Sequence, residues 1–276
     1  MSSCRVGYLG PQGTFSEEAA LLYKMRTGCS LFEYPSIGAV LEAVMAGEIK
    51  QGLVPLENRL EGGVGATLDH LAVNEGIYIR QEINYPIRQC LMSAEQIKFE
   101  QITAVLSHPH ALGQCSAFIK KHLPGVQCMP VESTAAAAKS LVGKESYAAI
   151  APRRAAELFN LSILSEGIED NKENVTRFVI ASTEDRAATG DDKTSLVLTV
   201  PDQPGSLYRV LGCFARRGIN LTRIESRPSR RIIGDWLFFI DCEGHRSDLE
   251  KGALWEEVNR ETNFLKLLGS YPRDKA

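Results

Sequence analysis

Hydrophobic and polar positions over the first 92 residues follow two alternating patterns. Short apolar runs, typical of buried strands, alternate with longer segments whose apolar residues recur every three or four positions, as in helices. In chain order we predict a strand over 5–9, a helix over 14–25, a strand over 31–34, a helix over 37–46 and a strand over 52–55. An extended stretch over 77–92, interrupted by Pro86, follows. The pattern predicts an α/β lobe and then a crossover.

The same pattern repeats in the next part of the chain. The predicted elements are a strand over 102–106, a helix over 111–121, a strand over 126–131, a helix over 135–142, a strand over 147–150 and a helix over 152–159. Residues 162–168 return toward the first lobe, and a strand over 174–181 completes it. We therefore predict two α/β lobes of the periplasmic-binding-protein type, with crossovers near 80–92 and 165–175 and an anion-binding cleft between the lobes.

A polar linker over 183–193 separates this region from a different pattern. The C-terminal elements are a strand over 194–200, a helix over 206–217, strands over 219–224 and 232–242, a helix over 249–260 and a strand over 264–269. The order βαββαβ predicts a ferredoxin-like domain. We place the domain boundaries at 1–183 and 194–276. Strand edges of such a sheet favour pairing, so dimerisation through this domain is plausible.

Composition narrows the class of protein. Of 276 residues, 44% are hydrophobic and 24% are charged, with a formal net charge of -3. These values are ordinary for a globular protein and do not favour a nucleic-acid partner. No apolar run reaches the ~18 residues of a membrane helix, and the N-terminus has no signal-peptide pattern. The 7 scattered Cys indicate reduced thiols, and no metal-ligand spacing is present. We expect a cytoplasmic protein.

Candidate chemistry is concentrated where predicted strands begin or end. Thr176 and Arg177 stand at the start of the 174–181 strand, and they supply a hydroxyl donor and a forked cation. Asn58 and Ser107 follow two other strands, and Gln114 lies two helical turns after Ser107. Polar groups at strand ends of an α/β sheet are at the usual position for a ligand.

Two helix starts add backbone donors to this set. Thr14 and Glu17 have the spacing of a capping box, and the preceding turn over 10–13 is either an anion site or simply the entry to a well-capped helix. Ser133 and Thr134 precede the alanine-rich helix and are further candidates for substrate contact. Glu57, beside Asn58, is another; the alternative for Glu57 and Asn58 is a turn with an Asx-type hydrogen bond.

Five short motifs, in order along nearly the whole chain, resemble those of monofunctional prephenate dehydratases with a C-terminal ACT domain. They are Gly7-Tyr8-Leu9-Gly10-Pro11-Gln12-Gly13-Thr14-Phe15-Ser16, Val54-Pro55-Leu56-Glu57-Asn58, Ser107-His108-Pro109 with Ala111-Leu112-Gly113-Gln114-Cys115, Asn174-Val175-Thr176-Arg177-Phe178, and Glu225-Ser226-Arg227-Pro228. Each motif is weak alone, and together they are specific.

This resemblance implies a lyase of the shikimate pathway that converts prephenate to phenylpyruvate in phenylalanine biosynthesis, without a cofactor or metal. It implies that Thr176 donates a hydrogen bond or a proton to the leaving hydroxyl. Asn58, Ser107 and Gln114 would line the cleft. Two roles remain open for Arg177: a clamp on the pyruvyl carboxylate, or a structural partner of an acid such as Glu57.

The ACT resemblance implies feedback inhibition by L-phenylalanine bound between paired ACT domains, and a homodimer or homotetramer. The effector pocket would contain seven residues: Gly205, Ser206, Leu207, Asn220, Leu221, Glu225 and Ser226. Ser206 stands where the family usually has alanine. The alternative for this domain is dimerisation without an effector. For the whole chain, the alternatives are an arogenate dehydratase and a non-catalytic amino-acid sensor.

Overall fold

The computed structural model describes residues 4–228, 236–250 and 253–274, and over its first part it contains the expected alternation of strands and helices. The elements of this part are β1 (Arg5–Leu9), α1 (Phe15–Thr27), β2 (Ser30–Tyr34), α2 (Ile37–Met45), β3 (Gln51–Asn58), β4 (Gly62–Gly63), α3 (Gly65–Val73), β5 (Tyr78–Pro86), β6 (Cys90–Ser93), a 3-10 turn (Phe99–Gln101), β7 (Ala104–Ser107), α4 (Pro109–Gln114), α5 (Ser116–His122), β8 (Gln127–Pro130), α6 (Thr134–Lys139), β9 (Tyr147–Ala151), α7 (Arg153–Phe159), β10 (Ser162–Glu166) and β11 (Val175–Ser182).

The C-terminal part has the expected order βαββαβ, except that two short helices replace the last predicted helix. Its elements are β12 (Asp192–Thr199), α8 (Ser206–Ala215), β13 (Leu221–Pro228), β14 (Trp236–Glu243), α9 (Arg246–Glu250), α10 (Leu254–Arg260) and β15 (Phe264–Pro272). The predicted fold class, α/β followed by a ferredoxin-like domain, is confirmed. No helix among the described residues is long and apolar enough to cross a membrane.

The chain divides into two compact units that do not follow the domain boundaries proposed from the sequence. One unit holds the described residues up to Val40 together with Glu57–Gly62 and Asn84–Arg177. The other holds Leu41–Leu56, Gly63–Ile83 and the described residues from Phe178 onward. The boundaries 1–183 and 194–276 stay a prediction.

A five-stranded sheet in the order β10-β6-β9-β7-β8 dominates the first unit. β7 is parallel to β8 and β9, whereas β6 is antiparallel to β9 and β10. Alternate residues face opposite sides of a strand, so Met92 and Leu106 enter one apolar cluster while Leu91 and Val105 enter another. The sheet is thus buried on both faces, which is usual for parallel strands. In the same unit β1 pairs in parallel with β2.

The larger parts of β3, β11 and β5 belong to the second unit, and these strands lie side by side in that order, with β4 paired to β3. The C-terminal domain forms an antiparallel sheet in the order β13-β14-β12-β15. Its apolar cluster combines α8, α10 and the inward face of the sheet, with Phe214 and Ile240 fully buried. β13 forms one edge of this sheet.

Several predicted boundaries were wrong. β3 continues through Glu57 and Asn58, beyond its predicted end at residue 55, and Asn58 also opens an Asx-type turn in which its Oδ1 accepts from Leu60 N. Residues 111–121 form two helices that meet at Cys115, and 249–260 also form two. β13 continues through the Glu225–Pro228 segment, which we had expected to connect two strands. Residues 232–235 of the next predicted strand lie outside the described residues.

Candidate active site

Asn58 and Thr176 stand at neighbouring ends of β3 and β11 and are joined by a hydrogen bond. Asn58 Nδ2 donates to Thr176 Oγ1 over 2.8 Å. Asn58 Oδ1 accepts from the backbone N–H groups of Leu60 at 3.0 Å and Glu61 at 3.2 Å. These two donors fix the carbonyl side of the amide, so its nitrogen must face the threonine. The Thr176 oxygen is then the acceptor, and its own proton is available to a ligand.

Gln114 belongs to the same hydrogen-bonded group through Asn174. Asn58 Nδ2 also donates to Asn174 Oδ1 over 2.9 Å, and Asn174 Nδ2 donates to Gln114 Oε1 over 3.1 Å. The structure thus brings together three predicted residues, Asn58, Gln114 and Thr176, by means of Asn174, which belongs to one of the quoted motifs but was not among the predicted site residues. Asn174 lies two residues before Thr176, and in an extended segment this spacing places both side chains on one face.

Glu57 and Arg177 form an ion pair close to this group. Arg177 Nη1 lies 3.0 Å from Glu57 Oε1, and the arginine side chain is 6% exposed. Side chains alternate along a strand, so the residues that neighbour Asn58 and Thr176 in sequence point away from them. Of the two roles left open for Arg177, this contact supports the structural partner of an acid.

Ser107 is directed into the five-stranded sheet. Its hydroxyl donates to the carbonyl oxygen of Ile150 over 2.6 Å, and the residue is fully buried. The hydroxyl proton of Ser107 is already used in this bond to the neighbouring strand. Ser107 can therefore only accept a hydrogen bond from a ligand. The predicted role of Ser107 in substrate contact stays a prediction with this restriction.

The position of Gln114 depends on how α4 begins and ends. His108 is the N-cap of α4, and its Nδ1 accepts from the backbone N–H of His110 at 3.3 Å. Burial lowers the pKa of His108, with a smaller contribution from His110, which favours the neutral ring that this acceptor role requires. At the other end, the Gln114 carbonyl accepts from Asp170 N at 2.7 Å. Gln114 is therefore the last residue of a short, fixed helix.

The turn before α1 differs from the predicted anion site. Thr14 caps the helix by accepting from Glu17 N at 3.4 Å, as predicted. The Glu17 carboxylate, however, accepts from Gly13 N at 2.6 Å rather than from Thr14 N, so the capping box is incomplete. Arg154 also reaches Glu17, at 3.3 Å. The Glu17 carboxylate therefore already accepts from Gly13 N, one of the backbone donors that a bound anion would need.

Ser133 lies near this turn. Its hydroxyl accepts from Ala136 N at 3.0 Å as the N-cap of α6, and Thr134 is the first residue of that helix. Ser133 and the turn residues Gly10–Gln12 line a cavity of about 750 Å³. The lining of this cavity does not include Asn58, Gln114 or Thr176. The cavity therefore does not by itself identify the reaction site.

In the C-terminal domain, part of the predicted effector pocket lines a cavity of about 370 Å³. Gly205, Ser206 and Leu207 border it together with Trp236 and Phe238. The other predicted effector residues do not belong to this lining: Asn220, Leu221, Glu225 and Ser226. Glu225 instead contacts Arg223 at 2.5 Å. The aromatic rings of the lining are a feature that the sequence analysis did not include.

Comparison with known proteins identifies the family. The family model for prephenate dehydratase matches residues 6–186, and the ACT domain model matches residues 194–253. The bifunctional chorismate mutase/prephenate dehydratase of Stutzerimonas stutzeri is 43% identical over 283 residues, covering 99% of this chain and 76% of that protein. The prephenate dehydratase of Methanocaldococcus jannaschii is 40% identical, covering 96% and 97%.

A solved structure agrees in fold over nearly the full length. It is the prephenate dehydratase of Arthrobacter aurescens in complex with L-Phe, with a TM-score of 0.89 and 37% identity, covering 98% of this chain and 90% of that one. The motifs quoted from the sequence fall within the segments that these comparisons match. The chain therefore belongs to the prephenate dehydratase family and carries an ACT domain.

Proposed function

We propose that this protein is a prephenate dehydratase, a carbon–oxygen lyase that converts prephenate to phenylpyruvate in phenylalanine biosynthesis. The observation that carries this proposal is the Asn58–Thr176 pair, in which the amide donates at 2.8 Å and leaves the hydroxyl proton of the threonine available. Membership of the family supports prephenate as the substrate, and the geometry supports Thr176 as a hydrogen-bond donor to it.

The reaction is an elimination with a large internal driving force. The ring carboxylate of prephenate leaves as carbon dioxide, and the electron pair of the broken C–C bond enters the ring. The ring becomes aromatic as the C–O bond breaks, and the departing hydroxide takes one proton to become water. The products are phenylpyruvate, carbon dioxide and water, and no electrons are exchanged with a cofactor.

In this scheme Thr176 acts on the departing hydroxyl. A free threonine is a weak acid, so its main contribution is an oriented hydrogen bond to an oxygen that gains negative charge. The bond from Asn58 withdraws electron density from Oγ1 and makes the Thr176 proton a better donor, because hydrogen bonds in a chain polarise one another. Gln114 would hold another polar group of the substrate.

Arg177 is assigned away from the carboxylate that departs. A cation bound tightly to that group would stabilise the ground state and slow decarboxylation. Its 3.0 Å contact with Glu57 supports this assignment. Thr14, Ser107, Ser133 and Thr134 are retained as candidate substrate contacts.

We also propose regulation by L-phenylalanine through the ACT domain, with a homodimer or homotetramer as the active assembly. The 370 Å³ cavity beside Gly205–Leu207 and the aromatic residues Trp236 and Phe238 support an aromatic amino acid as the effector. Inhibition requires that phenylalanine bind the active and inactive forms with different affinity. Sedimentation equilibrium of the full chain would determine the assembly.

The experiment that tests the function is product formation from prephenate and, in parallel, from arogenate, each with and without L-phenylalanine. Phenylpyruvate from prephenate, suppressed by phenylalanine, would support the site and the effector together. Turnover of arogenate alone would keep the chemistry and change the substrate. If neither substrate reacts, the enzyme proposal is wrong, and calorimetry with L-phenylalanine would then test the amino-acid sensor.

A further inference from the structure

Asn174 lies at the centre of a directional chain of side-chain amides. Asn58 donates to Asn174 at 2.9 Å, Asn174 donates to Gln114 at 3.1 Å, and Gln114 Nε2 donates to Glu61 Oε1 at 3.3 Å. Every bond points the same way, and the chain ends on a carboxylate. Such an arrangement strengthens each donor in turn.

The backbone around Asn174 holds its side chain in place. Its carbonyl oxygen accepts from Ile87 N at 2.9 Å, and its N–H donates to Asn171 O at 3.3 Å. The residue is 1% exposed. Asn174 therefore has little freedom to rotate away from the two amides that it joins.

The polarity of the chain requires an asparagine at this position. Asn58 is fixed by its two backbone donors and presents N–H to Asn174, which must accept. The other side of the Asn174 amide must then donate, so Gln114 presents its oxygen inward and its nitrogen toward Glu61. An ionised carboxylate of the same shape could accept from Asn58 but could not donate to Gln114.

We propose that Asn174 is a positioning residue for the reaction, which accepts from the fixed Asn58 amide and sets the amide orientation of Gln114 in the network that includes Thr176. This inference rests on the proposed function. Asn174 acts through Gln114, so its replacement should lower turnover through that residue rather than through an independent contact.

The test uses three variants of the full-length protein. Asn174→Ala removes both hydrogen bonds, and Asn174→Asp keeps the shape if the alanine variant fails to fold. Asn259→Ala is the matched control, because Asn259 is an exposed residue of α10, outside this network. Prephenate turnover, KM and thermal midpoint are measured for each.

We expect Asn174→Ala to lower kcat by about 10–100-fold, in the range that misplacement of a catalytic group produces. KM should change by less than about threefold, since the lost interaction matters most in the transition state. Asn259→Ala should stay within about twofold of the wild type. The combined variant Asn174→Ala/Gln114→Ala should lose little beyond Gln114→Ala alone, because both changes remove one network.

The pH profile of Asn174→Asp separates positioning from a structural role. A protonated carboxyl has one O–H donor and an acceptor oxygen, which suffice for the two hydrogen bonds that the Asn174 amide makes to Asn58 and Gln114. The ratio of its kcat to that of the wild type should therefore rise as pH falls, whereas the ratio for Asn174→Ala should be flat. The inference is wrong, while the proposed function stands, if Asn174→Ala and Asn174→Asp fold and keep kcat within about twofold of the wild type. It is also wrong if the effects of Asn174→Ala and Gln114→Ala on kcat multiply fully in the double variant. A wild-type protein that does not convert prephenate would overturn the proposed function and this inference with it.

Discussion

At the scale of single residues, the hydroxyl of Thr176 is fixed as an acceptor from Asn58 at 2.8 Å. We expect Thr176→Val, which has a similar shape, to lower kcat by about 10²–10³, the usual effect of one oriented donor in a site shielded from water. Thr176→Ser keeps the hydroxyl and should retain most of the activity. Steady-state assays with prephenate measure both, and near-normal turnover by the valine variant would show that the hydroxyl has no role.

The pKa of Glu18 predicts a pH-dependent stability. Burial raises this pKa, and the hydrogen bonds from Arg154 N at 3.1 Å and Tyr85 OH at 3.2 Å oppose the rise. The folded state thus holds the proton more tightly than the unfolded chain does. The free energy of unfolding falls as pH rises from the pKa of Glu18 in the unfolded chain, about 4.3, through its higher pKa in the folded state. Above the folded-state pKa the whole of this destabilisation is present.

We therefore expect Glu18→Gln to raise the thermal midpoint at pH 8. The glutamine oxygen can still accept from Arg154 N, while its nitrogen can donate to Tyr85. The advantage should shrink toward pH 4, where the wild-type carboxyl is largely protonated in both states. Glu42→Gln, at an exposed position of α2, is the control. An advantage that is equal at both pH values would contradict the assigned cause.

The site residues differ in how far the sequence could predict them. Asn58, Gln114 and Thr176 could be named because polar side chains at strand ends are common at ligand sites, and because the family motifs include them. The contact that joins them could not be named, because the amide of Asn174 lies between residues 58 and 114 only in the folded chain. The hydrogen bond from Ser107 to the Ile150 carbonyl could not be predicted either, because it depends on which strands are neighbours in the folded sheet.

At the scale of elements, the break between α4 and α5 has a cause distant in sequence. The backbone N–H of Asp170 donates to the carbonyl oxygen of Gln114 at 2.7 Å, and the Asp170 carboxylate accepts from Ala117 N at 3.1 Å. One residue therefore ends the first helix and caps the second. The apolar spacing of 111–121 is continuous, so the sequence alone predicts one helix there.

The helix α3 was missed because it begins within a glycine-rich run, which is typical of a loop. Tertiary packing overrides that local preference, since Leu68 and Leu71 are fully buried and Thr67 donates to Pro55 O at 2.6 Å. At its other end, Lys266 of β15 donates to Leu71 O at 2.7 Å and to Asn74 O. The C-terminal domain thus supplies the cap of this helix.

We expect Lys266→Met to lower the free energy of unfolding by about 1–3 kcal/mol, the cost of leaving buried carbonyl groups without a donor. The lysine is 7% exposed, and burial lowers its pKa, so some of this cost is offset by removing a buried charge. Urea denaturation measures the change. Lys120→Met, at an exposed position of α5, should have little effect, and equal loss in both variants would contradict the capping role.

At the scale of the whole molecule, two charged residues of β13 contact the start of α3 and the glycine loop before it. A methyl group at Gly63 would meet the Glu225 carboxylate, and one at Gly65 would lie 2.6 Å from the Arg227 guanidinium. Arg227 Nη2 also lies 3.8 Å from Asp69 Oδ1 of α3. Gly63 follows Glu61 by two residues in the chain, so the strand with the predicted effector motif touches a segment that continues from the carboxylate end of the amide network in the candidate site.

This contact predicts how the proposed inhibition depends on β13. We expect Arg227→Gln to keep the basal kcat within about twofold and to raise the L-phenylalanine concentration for half inhibition by at least about 10-fold, within the usual range of coupling energies. Asp69→Asn should act in the same direction. The double variant should be inhibited by L-phenylalanine no less than Arg227→Gln is, because both changes remove one contact.

Arg260→Gln is the matched control, because the Arg260 guanidinium donates to the Glu256 carbonyl oxygen in its own helix. Calorimetry must show that Arg227→Gln still binds L-phenylalanine, since loss of binding would place Arg227 in the effector pocket instead. Unchanged inhibition in a variant that binds the effector would mean that the signal leaves the ACT domain by another route.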